Sequence, residues 1–511
     1  MRIALLVEGS RAGAGWPARL VAGLPEHEFD RYALLSGEPA DAAGADSDAG
    51  LRTLALRGPR PGGRAPGAVR RRPYARAYEQ LVRALVLPAE REGFAPALHR
   101  LAELARQDGA LPAFLASGRA HQVLERVWRS PGADTAAGQP LVHDVLVAGD
   151  LLEQFLRPLS ADWYGEEPGG LGAADLCHVV GGGPAALPAL IAKELYGVPF
   201  VLTEHGLHLR EQYLGYRQAP YRWPVRALLL SFFRQLAAET YRQAALLTPG
   251  SGYDREWQLR CGADPDRIRV VHRDVPAAGH PAAGPEPSRP TLVWAGRLTP
   301  AADPELMLHA FARVRAEQPQ ARLLFCESEG RTGYRAHCVA VAERLGLTVG
   351  LDGDVRFAER VPAEGRWAHG TVAVFPHRTL PGPRLLAEAM LSGRAVVATD
   401  VGVAREVLGP AGLLVPPCDP AALAGACLAL LDDRERRERL GRAGRQRAAE
   451  RFAVEPAVAA FRDVYLELVS HWPAFPAAER TPGVLPRPFA RPAEYWVAGP
   501  SRAVAARVRT S

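Results

Sequence analysis

The chain has 511 residues, of which 48% are hydrophobic and 23% charged. This length exceeds what one hydrophobic core usually supports, so two or more domains are expected, and the composition argues against disorder along most of the chain. The formal net charge of +6 is too modest to indicate nucleic acid, which needs a clustered basic face, but it suits an anionic small ligand or a weak attraction to an acidic membrane surface.

Lysine and cysteine are both scarce. Lys193 is the only lysine, so any chemistry that needs a lysine has one candidate. None of the six cysteines forms a C-x-x-C pair, which argues against a zinc site, and so few cysteines are typical of a reducing compartment. The opening MRIALLVEGS predicts a strand rather than a signal peptide, and the apolar run at 227–233 is too short to span a bilayer.

The first part of the chain opens like a doubly wound α/β domain. An apolar strand at 2–7 precedes a turn that carries Gly13 and Gly15, and a helical apolar pattern follows. Residues 38–135 interrupt this pattern, first with a run rich in Ala, Gly, Pro and Arg and then with helical spacing. We therefore predict a helical insertion there. The alternation of strands and helices resumes at Asp175.

One strand of this first half ends in polar side chains. The run VPFVLTEHG predicts a strand with Glu204 and His205 at its carboxyl end, and Arg210 follows soon after. His205 can alternatively be a strand-end histidine whose hydrogen bonds are made by the backbone. The later segment DVPAAGHPAAGPEPSRP has the composition of a linker. We therefore predict an N-terminal domain over residues 1–285.

The second half repeats short strands and helices, which predicts a second parallel sheet over residues 286–470. The motif AGRLTP places Gly296 and Arg297 directly after its first strand. Ligands of open α/β sheets bind at this edge, and an arginine there can pair bidentately with phosphate. An ordinary surface arginine in a turn is the alternative. The tail at 471–511 is rich in Pro and Arg but contains five aromatic residues between 472 and 496, so we expect it to pack on the body.

A second motif in this half is PGPRLLAEAMLSGRAVVATDVGVARE at 381–406. It places Gly382 in a loop before a helix that carries Glu388. A carboxylate at this point can accept hydrogen bonds from both hydroxyls of a ribose, and the loop amides with the helix amino terminus favour a phosphate. The alternative for Glu388 is an ordinary solvated carboxylate on a helix.

The order of these motifs resembles a known family. Gly-Arg-Leu after the first strand, the helix carboxylate before A-M-x-x-G-x-x-V-V-A-T, and G-x-x-R-E are similar to the C-terminal domain of retaining, family 4 type glycosyltransferases (glycosyl transferases group 1). In the first half, LLVEG, VPFVLTEHGLHLRE and YRQAALLTPGSGYDREWQLRCGADPDRIRVV resemble the Pel-type polysaccharide synthase glycosyltransferase. The resemblance implies a GT-B fold, in which two Rossmann-like doubly wound parallel-sheet domains face each other across a cleft.

The resemblance also implies an activity and a site. The chain would move a sugar with retention from a UDP- or GDP-linked donor to a glycan, lipid or small-molecule acceptor, as in polysaccharide biosynthesis. It would need no metal and no other cofactor, because arginine neutralises the leaving diphosphate and the donor phosphate acts as base. His205 and Arg297 would be the catalytic residues. The donor would be bound by Gly13, Gly15, Glu204, Arg210, Gly296, Arg297, Gly382 and Glu388.

The same resemblance implies a location and partners. The protein would be cytoplasmic, and a peripheral association with the inner face of the membrane or with a polysaccharide synthase complex stays open. Nucleic acid is not among the expected partners.

The chain departs from this family at three places. The usual lysine after the Gly-Arg is missing, and Asp303 in that stretch has the wrong sign for a diphosphate. Leu380, followed by Pro381, stands where the family has a glutamate that contacts the donor sugar. Residues 272–275 read HRDV where Asn-Gly-Val-Asp is usual.

Two hypotheses of different class therefore remain. One is an active transferase with a rearranged donor site, in which Arg273 or Arg384 replaces the lysine. The other is a degenerate relative that binds a nucleotide or a protein partner without transferring sugar. In both, we expect nucleotide binding to survive better than transfer, because Arg297 and Glu388 belong to the diphosphate and ribose ends of the ligand, Leu380 and Pro381 belong to its sugar end, and the missing lysine lies between them.

Overall fold

The computed structural model describes residues 1–9, 15–35, 51–57, 67–133, 138–217, 219–276, 281–327, 333–359, 361–362, 365–380 and 382–471. The chain divides into two compact α/β units. Among the described residues, the N-terminal unit comprises those of Met1–Pro249 and Glu256–Arg269 together with Phe461–His471, and the C-terminal unit comprises those of Gly250–Arg255 and Val270–Ala460.

The N-terminal unit is built on a parallel sheet of six strands in the order β3-β2-β1-β4-β5-β6. The strands are β1 (Arg2–Glu8), β2 (Glu28–Leu35), β3 (Leu51–Ala55), β4 (Leu176–Val180), β5 (Phe200–Glu204) and β6 (Leu246–Pro249). The direction of strand addition reverses between β1 and β4. In open α/β sheets this switch point is where ligands bind, outside the carboxyl ends of the strands.

Most helices of this unit lie between β3 and β4 or follow β4. They are α1 (Trp16–Gly23), α2 (Ala68–Val86), α3 (Phe94–Asp108), α4 (Leu111–Leu115), α5 (Gly118–Trp128), α6 (Val142–Leu156), α7 (Leu187–Tyr196), α8 (His208–Tyr216) and α9 (Trp223–Gln243). A further helix, α10 (Gly252–Arg260), is shared between the units. The predicted insertion at 38–135 is thus helical from Ala68 onward, but the strand β3 within it extends the sheet.

The C-terminal unit repeats the same plan with a parallel sheet in the order β12-β11-β10-β7-β8-β9. Its strands are β7 (Thr291–Gly296), β8 (Arg322–Glu327), β9 (Val355–Glu359), β10 (Val372–Phe375), β11 (Ala395–Thr399) and β12 (Leu413–Val415). Its helices are α11 (Pro304–Glu317), α12 (Tyr334–Arg344), α13 (Arg384–Leu391), α14 (Ala404–Leu408), α15 (Pro420–Asp432), α16 (Arg434–Arg451) and the first part of α17 (Val454–His471). Here the switch point lies between β7 and β10.

The unit boundaries differ from the predicted domains at both ends of the second half. Residues 270–276 and 281–285, expected in the first domain, belong to the C-terminal unit because Val275 N–H donates to the Phe452 carbonyl at 2.7 Å and Ala283 N–H to the Ser392 carbonyl at 2.8 Å. Residues 461–470 of α17, expected in the second domain, belong to the N-terminal unit.

The last part of α17 is held in the N-terminal unit by buried aromatic contacts. The rings of Phe461 and Trp16 lie 5.4 Å apart between centroids, and the Tyr465 hydroxyl lies 2.5 Å from His178 Nδ1. His178 Nε2 in turn lies 2.7 Å from Thr203 Oγ1. The predicted packing of the tail beyond His471 falls outside the described residues. Within the described part of the chain, every helix is too short or too polar to cross a bilayer.

Candidate functional site

Glu204 ends strand β5 and is almost completely buried. Its Oε2 accepts hydrogen bonds from the Tyr241 hydroxyl at 2.8 Å and from Gln258 Nε2 at 2.9 Å. Burial raises the pKa of this carboxyl, while the hydrogen bonds from Gln258 and Tyr241 oppose that effect. A Cβ on Gly182 would lie 2.9 Å from Glu204 Oε1, so the turn after β4 approaches the carboxylate closely. Through these bonds Glu204 connects the carboxyl end of β5 to Tyr241 of α9 and Gln258 of α10.

The other predicted residues of this edge have identifiable neighbours within the N-terminal unit. His205 contacts Trp16 edge to face, with 4.7 Å between the ring centroids. Trp16 is the first residue of α1 and follows Gly15, whose φ is 73°, so the end of β5 and the start of α1 come together. The guanidinium of Arg210 lies 5.8 Å from the ring centroid of Trp257. Gly13 lies outside the described residues.

His208 is a candidate site residue that the sequence analysis missed. It begins α8, and its Nε2 lies 3.8 Å from Glu8 Oε2 at the end of β1 and 3.2 Å from Gln212 Nε2. Burial lowers the pKa of His208 to about 4, so the ring is neutral at pH 7. A Cβ on Gly183 would lie 2.3 Å from the ring. Since Gly183 follows β4, Glu8 and His208 mark the switch point of this sheet.

The C-terminal sheet carries two arginines beside its own switch point. Arg297 is exposed and directly follows β7, and Arg378 follows the neighbouring strand β10. The two loops touch, because the Arg378 amide donates to the Ala301 carbonyl at 2.9 Å. Gly296 has a φ of 151°, and a Cβ there would lie 3.1 Å from the Trp294 ring, so glycine permits this strand ending.

Arg378 is the second residue that sequence reasoning missed, and its partner is Asp303. Arg378 Nε donates to Asp303 Oδ2 at 2.8 Å and Nη2 donates to Oδ1 at 3.3 Å, while the Arg378 side chain remains 56% exposed. Asp303 is buried, has a φ of 49°, and accepts the Leu306 amide at the start of α11. The expectation that Asp303 opposes a diphosphate is therefore revised, because its charge is compensated by Arg378.

Glu388 is not the solvated carboxylate of the alternative reading. It is fully buried; its Oε2 accepts from Arg366 Nη2 at 2.9 Å and its Oε1 accepts from Arg384 Nε at 2.8 Å. Arg366 is itself buried, whereas the Arg384 side chain is 62% exposed. A ribose hydroxyl at Oε1 would therefore meet Arg384 at the same oxygen, which the sequence did not indicate.

The remaining departures from the family motif occupy apolar or structural positions. Leu380 is buried in the core of the C-terminal unit, and its carbonyl accepts the Val403 amide at 3.1 Å. Pro381 lies outside the described residues, and a Cβ added to Gly382 would meet no atom within 4 Å. His272 Nδ1 lies 3.5 Å from Glu406 Oε1, so the unusual HRDV loop reaches the G-x-x-R-E motif.

Two other features of the C-terminal unit bear on what can bind. A cavity of about 100 Å³ borders Glu388, Trp367 and Ser392, but Ser392 precedes β11, so the cavity lies toward the amino edge of the sheet. Within the described ranges, no group of three or more His, Cys, Asp or Glu side chains is arranged to hold a metal ion.

The two sheets, each with polar side chains at its switch point, define the class of two-sheet, doubly wound α/β proteins that the sequence predicted. Residues 289–433 match the family model "Glycosyl transferases group 1", and residues 1–266 match "Domain of unknown function (DUF3492)". The D-inositol 3-phosphate glycosyltransferase of Geodermatophilus obscurus is 30% identical over 336 residues, which are 62% of this chain and 70% of that protein. The chain belongs to the group 1 glycosyltransferase family.

A second relative matches over a shorter stretch. The D-inositol 3-phosphate glycosyltransferase of Streptomyces bingchenggensis is 31% identical over 223 residues, which are 40% of this chain and 49% of that protein. The match therefore spans about half the length of this relative.

Solved structures confirm the predicted GT-B fold. Sucrose-phosphate synthase from Thermosynechococcus elongatus superposes with a TM-score of 0.56 at 16% identity, covering 92% of this chain and 99% of that one. Anabaena HepE in complex with UDP and glucose gives a TM-score of 0.53 at 14% identity, covering 91% and 100%. At these identities the likeness concerns the fold. The Pel-type resemblance of the first half and the facing of the two domains across a cleft stay predictions.

Proposed function

We propose that the protein is a retaining glycosyltransferase that uses a UDP- or GDP-linked sugar as donor and a hydroxyl of a glycan, lipid or small molecule as acceptor. The observation that carries the proposal is the pair of arginines, Arg297 and Arg378, that follows the two strands of the switch point in the C-terminal sheet. Family membership supports it, as do the UDP and glucose bound to Anabaena HepE. A cytoplasmic role in polysaccharide biosynthesis fits this activity.

The two arginines bind the diphosphate of the donor. Asp303 uses Nε and one Nη2 hydrogen of Arg378, which leaves three N–H donors of that guanidinium for phosphate oxygens. Arg378 thereby supplies the positive charge of the missing lysine. It is a stronger candidate than Arg384 because it follows β10 at the switch point, whereas Arg384 lies in α13, while Arg273 stays an alternative.

Glu388 binds the ribose once Arg384 has moved away, and the buried Arg366 keeps its bond to the other oxygen. His205, Glu204 and Arg210 shape the edge of the N-terminal sheet, and Glu8 with His208 receives acceptor hydroxyls at the switch point of that sheet. The bond between the anomeric carbon and the diphosphate oxygen breaks, and the acceptor oxygen bonds to the same face of that carbon. The acceptor proton passes to the departing diphosphate, which Arg297 and Arg378 stabilise.

The second candidate function is a nucleotide-binding protein with little or no transfer. The observation that favours it is Leu380, which is apolar and buried where the family has a carboxylate for the donor sugar. Binding energy from the nucleotide persists in this case, but the stabilisation of the transition state is reduced.

Titration calorimetry with UDP and with GDP, followed by assays of donor hydrolysis and transfer, separates these functions. A transferase binds one nucleotide and turns over its sugar conjugate, and the missing carboxylate predicts a rate below about 1 per second. The binding protein shows the first result without the second. A protein that binds neither UDP nor GDP would contradict both proposals.

A further inference from the structure

Most of the exposed large hydrophobic side chains of the N-terminal unit lie on three helix ends. Among the described residues, eight large hydrophobic side chains are exposed, and six of them lie on three helix ends: Leu141, Val142 and Leu146 at the start of α6, Tyr213 and Leu214 near the end of α8, and Trp223 at the start of α9. Their exposed fractions range from 45% to 62%. Scattered surface leucines need no explanation, but such clustering marks an interaction surface.

Two arginines join these helix ends into one surface. Arg222, before α9, donates to the buried carboxylate of Asp144, and the same Asp144 oxygen accepts the Leu141 amide at 2.8 Å. Arg226 donates to the carbonyls of Tyr221 and Ala219, each at 2.5 Å. The start of α6 is therefore tied to the start of α9.

The turn between α8 and α9 belongs to the same surface. Arg226 Nη1 donates to the Arg217 carbonyl at 3.3 Å, which ties the end of α8 to α9. We call the surface formed by residues 141–146, 213–217 and 219–226 the apolar–arginine face.

The apolar–arginine face has a positive charge. Arg217, Arg222 and Arg226 lie within it, whereas its one carboxylate is Asp144, which is buried against Arg222. The three bonds of Arg226 to backbone carbonyls use three of its five N–H donors without neutralising its charge. Exposed leucine, valine, tyrosine and tryptophan are thus interleaved with guanidinium groups.

We propose that the apolar–arginine face docks on a membrane surface that contains anionic lipids. Tryptophan and tyrosine favour the headgroup region, aliphatic side chains enter the acyl boundary, and arginines pair with lipid phosphates. The charge complementarity selects this occupant over a neutral apolar protein surface. The inference stands independently of the proposed transferase activity, but it places a lipid-borne or membrane-attached acceptor within reach.

Co-sedimentation of the full chain with vesicles tests the inference. Binding is expected with phosphatidylcholine mixed with phosphatidylglycerol, weaker binding with phosphatidylcholine alone, and loss of binding at high salt. The double variant Val142→Ser, Trp223→Ser should bind roughly tenfold more weakly or worse. Leu351→Ser is the matched control, because Leu351 is 73% exposed in the C-terminal unit. It should bind as the wild type does.

A charge variant and a fold control complete the test. Arg217→Gln removes one exposed charge but keeps the backbone carbonyl that Arg226 uses, so it should weaken binding to the anionic vesicles alone. Circular dichroism and thermal unfolding should match the wild type for every variant, since all four side chains are exposed. The inference is overturned if the wild-type protein does not bind anionic vesicles, or if it binds both vesicle types equally. Light scattering provides a second contrary outcome. If the wild type is a dimer and Trp223→Ser is a monomer, the face binds a second copy of the chain and the inference is overturned.

Discussion

Arg378 binds Asp303 through two parallel hydrogen bonds, although the two residues are separated by the whole of β8 and β9. The aspartate holds an uncommon left-handed backbone conformation, with a φ of 49°, and it accepts the Leu306 amide of α11 with the same carboxylate. The guanidinium is consequently fixed beside the switch point of the C-terminal sheet, in a loop that also bonds to the Ala301 carbonyl.

Arg378→Gln should weaken UDP binding by roughly tenfold or more and lower the transfer rate roughly 100-fold, because a charge-assisted donor to the diphosphate is lost. Arg378→Lys should recover part of the binding, since it keeps the charge without the planar fork. Arg434→Gln, on the exposed surface of α16, is the control. Calorimetry and a transfer assay provide the readouts, and equal affinities for all four proteins would exclude the role of Arg378.

Asp303→Asn tests whether the aspartate acts through Arg378. It should lower UDP affinity less than Arg378→Gln does, because the guanidinium remains but is less well oriented. In the Arg378→Gln background it should have little further effect on affinity. Additive losses in the double variant would show that Asp303 acts on the fold rather than on Arg378.

Arg384→Ala separates the two roles open to that arginine. If Arg384 competes with ribose for Glu388 Oε1, its removal should raise nucleotide affinity several-fold, while the buried carboxylate loses the hydrogen bond from Arg384 and the protein loses some stability with it. If Arg384 replaces the missing lysine, affinity should fall instead. Calorimetry with UDP decides between them, and thermal unfolding checks the stability.

Glu388→Gln is expected to destabilise the C-terminal unit as well as weaken nucleotide binding. It removes the carboxylate that pairs with the buried Arg366, and breaking a buried pair costs about 3–5 kcal/mol. Urea unfolding measures this loss. A variant with unchanged stability and reduced UDP affinity would indicate that the carboxylate serves the ligand alone.

Leu380→Glu, which restores the carboxylate of the family motif, should destabilise the protein without raising turnover. Leu380 is buried in the core of the C-terminal unit, so the glutamate would either be buried unpaired or disrupt the loop. Leu380→Met is the matched control, because a swap of similar volume is usually tolerated at less than about 1.5 kcal/mol. A faster Leu380→Glu enzyme with an unchanged melting temperature would contradict this expectation.

The buried His178 should make the free energy of unfolding depend on pH. Burial lowers its pKa to about 3 in the folded state, below the usual value of about 6.5. The unfolded chain therefore binds one more proton between these values, so stability falls as the pH decreases through this range, by about 1.4 kcal/mol per unit for this histidine. In His178→Gln the slope of unfolding free energy against pH, from urea titrations, should be smaller by that amount. An identical slope would assign the acid sensitivity to other groups.

The strands of both sheets could be predicted where they are short apolar runs followed by turns, as in VPFVLTEHG and TLVWAG. Strand β3 was missed because it has five residues, of which none is fully buried, amid Gly, Pro and Arg. Its pairing with β2 is a tertiary interaction, and no periodicity of its own indicates it.

The candidate site could be predicted only in part for a similar reason. Gly296 and Arg297 lie at the end of a recognisable strand and Glu388 lies within a recognisable helix, so sequence motifs indicate them. The partners of Glu388, by contrast, include Arg366, which lies 22 residues before it in another element, and the pairing of Asp303 with Arg378 spans 75 residues. Such pairings depend on which strands become neighbours, and this information is absent from local patterns.

The position of Phe461 and Tyr465 in the core of the N-terminal unit bears on how the chain is made. A ribosome delivers β1 to β6 long before it delivers the aromatic residues that pack on Trp16 and His178. The first-synthesised half therefore holds an incomplete core throughout translation of the second, and chaperone binding or delayed compaction during that interval is the expected cost. For the same reason, the halves cannot be separated by a single cut, because a fragment ending at Pro249 would expose the surface that α17 covers.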